Sequence, residues 1–224
     1  MTSVIFDIET LAVPFETFDE VQQEYLMKFA DTDEKREVEL QKLNLYPLTA
    51  QIIAIGMLNP DTMSGKVFYQ SNIKETYTSD DGKIEYVSGD EKDILKNFWT
   101  TIQRYDRYVT FNGRGFDNPF IMLRSAITGV KPTRNIMPYR YDATEHCDLL
   151  EQLTFYGVVR KFNLDFYCKT FGIKSPKSEG ITGLDLGPLY KEGQFRKIAE
   201  YCIGDVIATA DLYKRWNEFL NIKN

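Results

Sequence analysis

Ser3-Val4-Ile5-Phe6-Asp7-Ile8-Glu9-Thr10 sets β-branched and aromatic residues ahead of two carboxylates. The run from Ser3 to Asp7 predicts a short strand buried on both faces, with Glu9 ending it. Side chains alternate along an extended segment, so Asp7 and Glu9, two residues apart, point to one face and can share one cation. This is the only Asp-x-Glu in the chain. Taken alone, the pair also fits an acidic strand end in solvent.

A strand buried on both faces calls for a sheet covered by helices, and the downstream pattern supplies them. Helical spacing occupies residues 19 to 43, where Asp19 with Gln22 and Asp31 with Glu34 stand at capping-box distance. Apolar Val21, Tyr25 and Phe29 follow, then Leu40 and Leu43. Gln51 to Leu58, Lys66 to Tyr69 and Ile84 to Val87 read as strands, separated by Asn59-Pro60-Asp61 and Asp80-Asp81-Gly82 turns. Glu91 to Tyr105 is helical, Tyr108 to Phe111 is a strand, and a helix runs from about Asn118 to Thr128. The last third reads as helices at Asp148 to Tyr156 and Asn163 to Phe171, a Gly- and Pro-rich loop through Pro188, and a long helix from about Gln194 to Leu220. The order implies an α/β fold with a mixed central sheet flanked by helices.

With 224 residues and 43% hydrophobic content, the chain suits one domain over 1–224, carrying a helical insertion at about 19–44. Its longest apolar run, Ile52 to Leu58, falls far short of the roughly 20 residues of a membrane span. MTSVIFDIET has no basic segment before its apolar stretch, so a cytoplasmic location is expected. Cys147, Cys168 and Cys202 have no CxxC spacing and read as buried, reduced thiols. A net charge of −6 argues against broad duplex binding but leaves room for nucleic acid where divalent ions cancel clustered acids.

Two further acids stand out. Asp117 follows Phe116 where a Gly-flanked turn leaves a strand and enters a helix, the place where α/β sheets collect ligands; it equally reads as an ordinary helix N-cap, where Asp is favoured, with Pro119 in the first turn. Tyr201 and Asp205 lie four residues apart in a helix, which puts phenol and carboxylate on one face. That spacing occurs three times, but Tyr77 with Asp81 and Tyr86 with Asp90 lie in turn-rich segments.

The three segments together resemble the DEDD superfamily of 3′-5′ exonucleases, with a ribonuclease H-like fold, and most closely the proofreading exonuclease of B-family DNA polymerases. The matching residues are Phe6-Asp7-Ile8-Glu9-Thr10, then Phe111-Asn112 with Phe116-Asp117-Asn118-Pro119, then Tyr201-Cys202-Ile203-Gly204-Asp205. The resemblance spans residues 3 to about 215. It implies two divalent cations, Mg²⁺ or Mn²⁺, about 4 Å apart. Asp7 would bridge them, Glu9 and Asp205 would complete the first site, and Asp117 would hold the second through water. Oxygen ligands suit such ions, and no His or Cys set suits zinc. Tyr201 would orient the attacking water; the histidine of the other branch is replaced at its position by Glu200. The lone His146 is expected to satisfy a local hydrogen bond.

By the same resemblance, Thr10 and Leu11 are candidates for the terminal nucleotide, and Phe116 belongs to the second motif beside it. Asn112 either touches the substrate backbone or simply makes the turn before Gly113. Arg160, Lys161, Lys169, Lys174 and Lys177 interleave with Phe162, Phe166, Tyr167 and Phe171, a pattern that serves single strands but also an amphipathic helix whose rings are core. Lys174 and Lys177 are the expected phosphate contacts. The expected activity is removal of nucleoside 5′-monophosphates from a single-stranded DNA 3′ end, with RNA trimming as the alternative substrate. An idle binding module on the same fold is the alternative from another class. Any proofreading or repair role would need a separate polymerase or repair partner.

Overall fold

The computed structural model describes residues 2–175 and 180–222. Ser3–Ala12 forms strand β1, longer than the expected segment. Glu9 does not end it, because a bulge between Glu9 and Thr10 lets pairing with β2 (Ala50–Asn59) resume at Thr10 and Ile52. The other strands are β3 (Ser64–Gln70), β4 (Thr76–Thr78), β5 (Ile84–Gly89), β6 (Arg107–Thr110) and β7 (His146–Asp148). They make one seven-stranded sheet in the order β4-β5-β3-β2-β1-β6-β7. β1 runs antiparallel to β2 and parallel to β6, so the sheet is mixed.

Period-two alternation divides β1 between two cores. Val4, Phe6 and Ile8 face the layer built by α3 (Glu91–Ile102) and α4 (Asp117–Thr128), while Ile5 faces the layer of α8 (Phe195–Phe219). Phe6 packs edge-on to Phe98 with ring centroids 5.2 Å apart. Buried apolar side chains of this size each contribute about 1.5–3 kcal/mol. Glu91 ties the first layer to the sheet: its Oε1 accepts from the Ile52 amide at 2.8 Å, beside the bulge, and its carboxylate accepts a two-pronged contact from Arg124.

Several elements depart from the sequence expectation. In α1 (Glu20–Met27) the expected Asp19–Gln22 capping box is present, but Val21, Tyr25 and Phe29 point to solvent, and Met27 and Ala30 supply the buried contacts. The next helix, α2 (Asp33–Lys42), is capped by Thr32 rather than Asp31; the Thr32 hydroxyl accepts from the Lys35 amide, and Asp31 instead pairs with the Lys35 ammonium. α5 (Leu149–Leu153) stops short of Tyr156, because Phe155, Tyr156 and Gly157 all take positive φ, at 49°, 58° and 95°. α6 (Leu164–Thr170) lies as expected. The presumed loop around Pro188 contains α7 (Leu186–Lys191), whose first turn tolerates proline. Among the described residues no helix is long and apolar enough to cross a membrane.

Candidate active site

β1 and β6 pair only from Ser3 to Ile5, and beyond that point the two parallel strands part. The chain leaves β6 through a turn at Asn112, in the left-handed region at φ 65°, and delivers Asp117 as the first residue of α4. Asp117 then reaches back across the gap, where its Oδ1 accepts from the Ile8 amide at 3.1 Å. An edge amide left free by the parting strands thus fixes a carboxylate next to Asp7 and Glu9. The location is the carboxyl end of a parallel strand pair, where α/β sheets gather ligands.

α8 closes the third side. It lies close over β2 because Gly56, the register partner of Asp7, has no side chain: a Cβ there would stand 2.9 Å from Val206 Cγ2 and 3.2 Å from Cys202 Sγ. The Cys202 thiol donates to the Asp7 carbonyl oxygen at 3.7 Å. Ligand atoms of Asp7, Glu9 and Cys202 all lie within 4.8 Å of one another. Asp205 and Tyr201, one helical turn apart, come into electrostatic reach of Asp7 and Glu9. The structure therefore brings together Asp7, Glu9, Asp117, Tyr201 and Asp205.

The electrostatics of this pocket are those of crowded, dehydrated anions. Burial, then Asp117, Asp205 and Glu9, holds the Asp7 carboxyl well above the usual range. Burial and the charges of Asp205 and Asp117 do the same to Glu9. Asp117 is pushed up to about 7 by burial, against the pull of its amide bonds, with Asp148 and Asp205 adding repulsion. Burial and the neighbouring acids raise Tyr201 as well, so its phenol stays neutral. The Cys202 thiol, buried and facing the same acids, also keeps its proton.

Hard divalent cations fit this donor set. Among the described residues Glu9 Oε1 is buried without a hydrogen-bond partner, and several carboxylates converge where only a positive charge would relieve them. The protonated Cys202 thiol is a soft donor already used by the Asp7 carbonyl, so the oxygens are the ligands that match.

The remaining expected residues are spread around this centre. Phe116 and Thr10 line a cleft of about 630 Å³ next to Glu9, walled by Lys42 and Leu45 of the helical insertion and by Leu184. The Thr10 hydroxyl is committed to the Asn44 carbonyl, at 2.8 Å. Leu11 is half-buried against the α8-side core. Asn112 makes the turn, its amide donating to Asp148 Oδ1 at 2.9 Å. Lys174 lines a separate hollow with Tyr201 and Lys197 along α8. Lys177 lies outside the described residues.

Two residues that carry much of this geometry were not singled out by sequence. Asp148 is 3% exposed and accepts from the amides of Asn112, Arg114 and Leu150, which fixes the turn leading to Asp117. In sequence it looks like a helix N-cap, which it also is. Gly56 did leave a signal: a lone glycine inside the apolar run Ile52 to Leu58 marks a close approach to a strand. His146 behaves as expected, with Nε2 2.9 Å from Thr110 Oγ1; Asn118 and Arg114 present donors to Nδ1, which makes Nε2 the protonated nitrogen. Burial and the nearby Arg114 and Arg107 lower it to about 3, so it stays neutral.

Residues 49–221 match the family described as "Predicted 3′-5′ exonuclease related to the exonuclease domain of PolB". The chain belongs to that family. The family match begins after β1, so it includes Asp117, Tyr201 and Asp205 but not Asp7 and Glu9. A likeness in fold covers β1 as well: the family B DNA polymerase from the hyperthermophilic archaeon Pyrobaculum calidifontis superposes with a TM-score of 0.64 and 17% identity over 98% of this chain. The chain spans 25% of that polymerase. The mixed sheet with flanking helices is thus the ribonuclease H-like fold of the polymerase-type exonuclease domain. No curated protein matches the chain.

Proposed function

We propose that the protein is a metal-dependent 3′-5′ exonuclease that hydrolyses the terminal phosphodiester of single-stranded DNA and releases nucleoside 5′-monophosphates. The observation that carries this reading is the convergence of Asp7, Glu9, Asp117 and Asp205 from a strand, a strand-helix turn and a late helix, with Glu9 Oε1 buried and without a hydrogen-bond partner among the described residues. These four residues would hold two divalent cations, Mg²⁺ or Mn²⁺. Such ions supply an acidified water and stabilise charge on a departing 3′ oxygen.

The protein's own groups do the positioning. The Ile8 amide keeps Asp117 aimed at the pocket and withdraws one of its lone pairs from repulsion. Tyr201 cannot serve as a base while its phenol is held neutral, so its hydroxyl orients the attacking water by hydrogen bonding. The cleft beside Glu9 and Phe116 receives the terminal nucleotide, and a path walled by the helical insertion suits a single strand better than a duplex.

The test is digestion of 5′-labelled DNA and RNA oligonucleotides, single- and double-stranded, with free or blocked 3′ ends, in Mg²⁺, Mn²⁺ or chelator. A ladder shortening from free DNA 3′ ends, absent in chelator, is expected. Cutting that ignores the 3′ block would make the protein an endonuclease, and faster RNA shortening would make it an RNA-trimming enzyme.

A further inference from the structure

The loop and helix from Phe155 to Thr170 carry a feature the catalytic cleft does not use. Three consecutive residues, Phe155, Tyr156 and Gly157, sit at positive φ, and the first two have side chains that disfavour it. At Phe155 and Tyr156 this is backbone strain, which structures retain chiefly at functional positions. The turn leaves Phe155 58% exposed and puts Arg160 and Lys161 in solvent. Arg160 lies over the Phe162 ring at 5.0 Å, and Phe162 stacks nearly parallel on Phe166 with centroids 4.3 Å apart. Phe166 itself is 51% exposed.

The reverse side of the same helix is anchored at the catalytic centre. Tyr167 and Cys168 are buried, and Tyr167 contacts the ring of Phe111, the residue just before the Asn112 turn, at 5.7 Å. The Cys168 thiol feels the charge of Asp205. Phe166 is therefore carried by the helix whose buried side packs on α8 and on Phe111, at the start of the turn that delivers Asp117. Sequence had allowed all these rings to be core; Tyr167 is, but Phe166 is not.

We propose that Phe166, with Phe155 beside the strained turn, is a stacking platform for unpaired bases upstream of the 3′ terminus, and that Arg160 and Lys161 follow the phosphates. Guanidinium and ammonium groups next to open rings match the chemistry of a nucleic acid strand, in a chain whose net charge is −6. The inference rests on the exonuclease reading for the direction of the strand.

The experiment is fluorescence anisotropy with a labelled oligothymidylate of about twelve nucleotides in chelator, with a matched oligonucleotide whose upstream bases are abasic. Phe166→Ala is expected to weaken the normal strand about 5- to 100-fold and to bind the abasic strand as wild type does. Arg160→Ala with Lys161→Ala should weaken both strands and flatten the salt dependence. Melting temperature and turnover of a dinucleotide, too short to reach the platform, should stay at wild-type values in Phe166→Ala. Unchanged affinity of Phe166→Ala for the normal strand, in a protein that digests 3′ ends, overturns the platform and spares the exonuclease. Base-dependent binding through Phe166 without digestion supports the platform and removes the hydrolase. A wild type that neither binds nor cuts overturns both.

Discussion

Asp117→Asn tests the electrostatics of the pocket without emptying it. The amide keeps an oxygen for the Ile8 N–H and nearly the same volume, yet removes one anion. The folded carboxyl sits at about 7 against an ordinary value of 3.8, so raising the pH between those values ionises the unfolded chain first and folded stability falls. The penalty is absent below about pH 4 and complete above about pH 7. Three units or so correspond to a ceiling of about 4 kcal/mol; proton sharing with Asp7 and Glu9 lowers this to about 2 kcal/mol. For a chain of this length that is about 4–8 °C in melting temperature. The assay is thermal unfolding of both proteins in chelator from about pH 4 to about pH 8.5. The curves should coincide in acid and separate across the window, with the variant more stable at the alkaline end. Added Mg²⁺ should stabilise the wild type more than the variant. A variant equal to or less stable than wild type at about pH 8 refutes the reasoning.

Three other substitutions probe separate links. Gly56→Ala should push α8 away from Asp7, because its new Cβ meets Val206 and Cys202; a loss of about 1–3 kcal/mol in unfolding and a larger fractional loss of nuclease rate are expected, and retention of both would remove the close-approach argument. Glu91→Ala leaves Arg124 and the Ile52 amide without their acceptor, which should cost about 3–5 kcal/mol in a denaturant titration, with no change expected if the pair is solvated. Tyr201→Phe should lower turnover about 10²-fold or more while Mn²⁺ affinity by calorimetry is unchanged; full turnover would remove the water-orienting role.

What sequence revealed follows from which interactions are local. Asp7 and Glu9 share a face because strand alternation is a property of the chain itself, and Tyr201 and Asp205 align because one helical turn separates them. The features that escaped depend on remote partners. The extension of β1 past Glu9 exists only because β2 accommodates a bulge, and β7 is three residues held by pairing to β6. The outward stripe of Val21, Tyr25 and Phe29 has the spacing of a buried face, but spacing does not say whether a neighbour arrives to cover it. Asp148 was hidden because its local role as a helix cap is complete without its second role, fixing the turn before Asp117. The hydroxyl of Thr10 is likewise spoken for by Asn44, a residue 34 positions away.

The central claim is that folding gathers distant carboxylates into a seat for hard cations. Crystals of the wild-type protein soaked in Mn²⁺, with data collected at the manganese edge, test it most directly. Anomalous peaks between Asp7, Glu9, Asp117 and Asp205, lost in Asp7→Asn crystals of the same form, are the expected result. A map with no peak at these four carboxylates, or with manganese bound only elsewhere, would contradict the account.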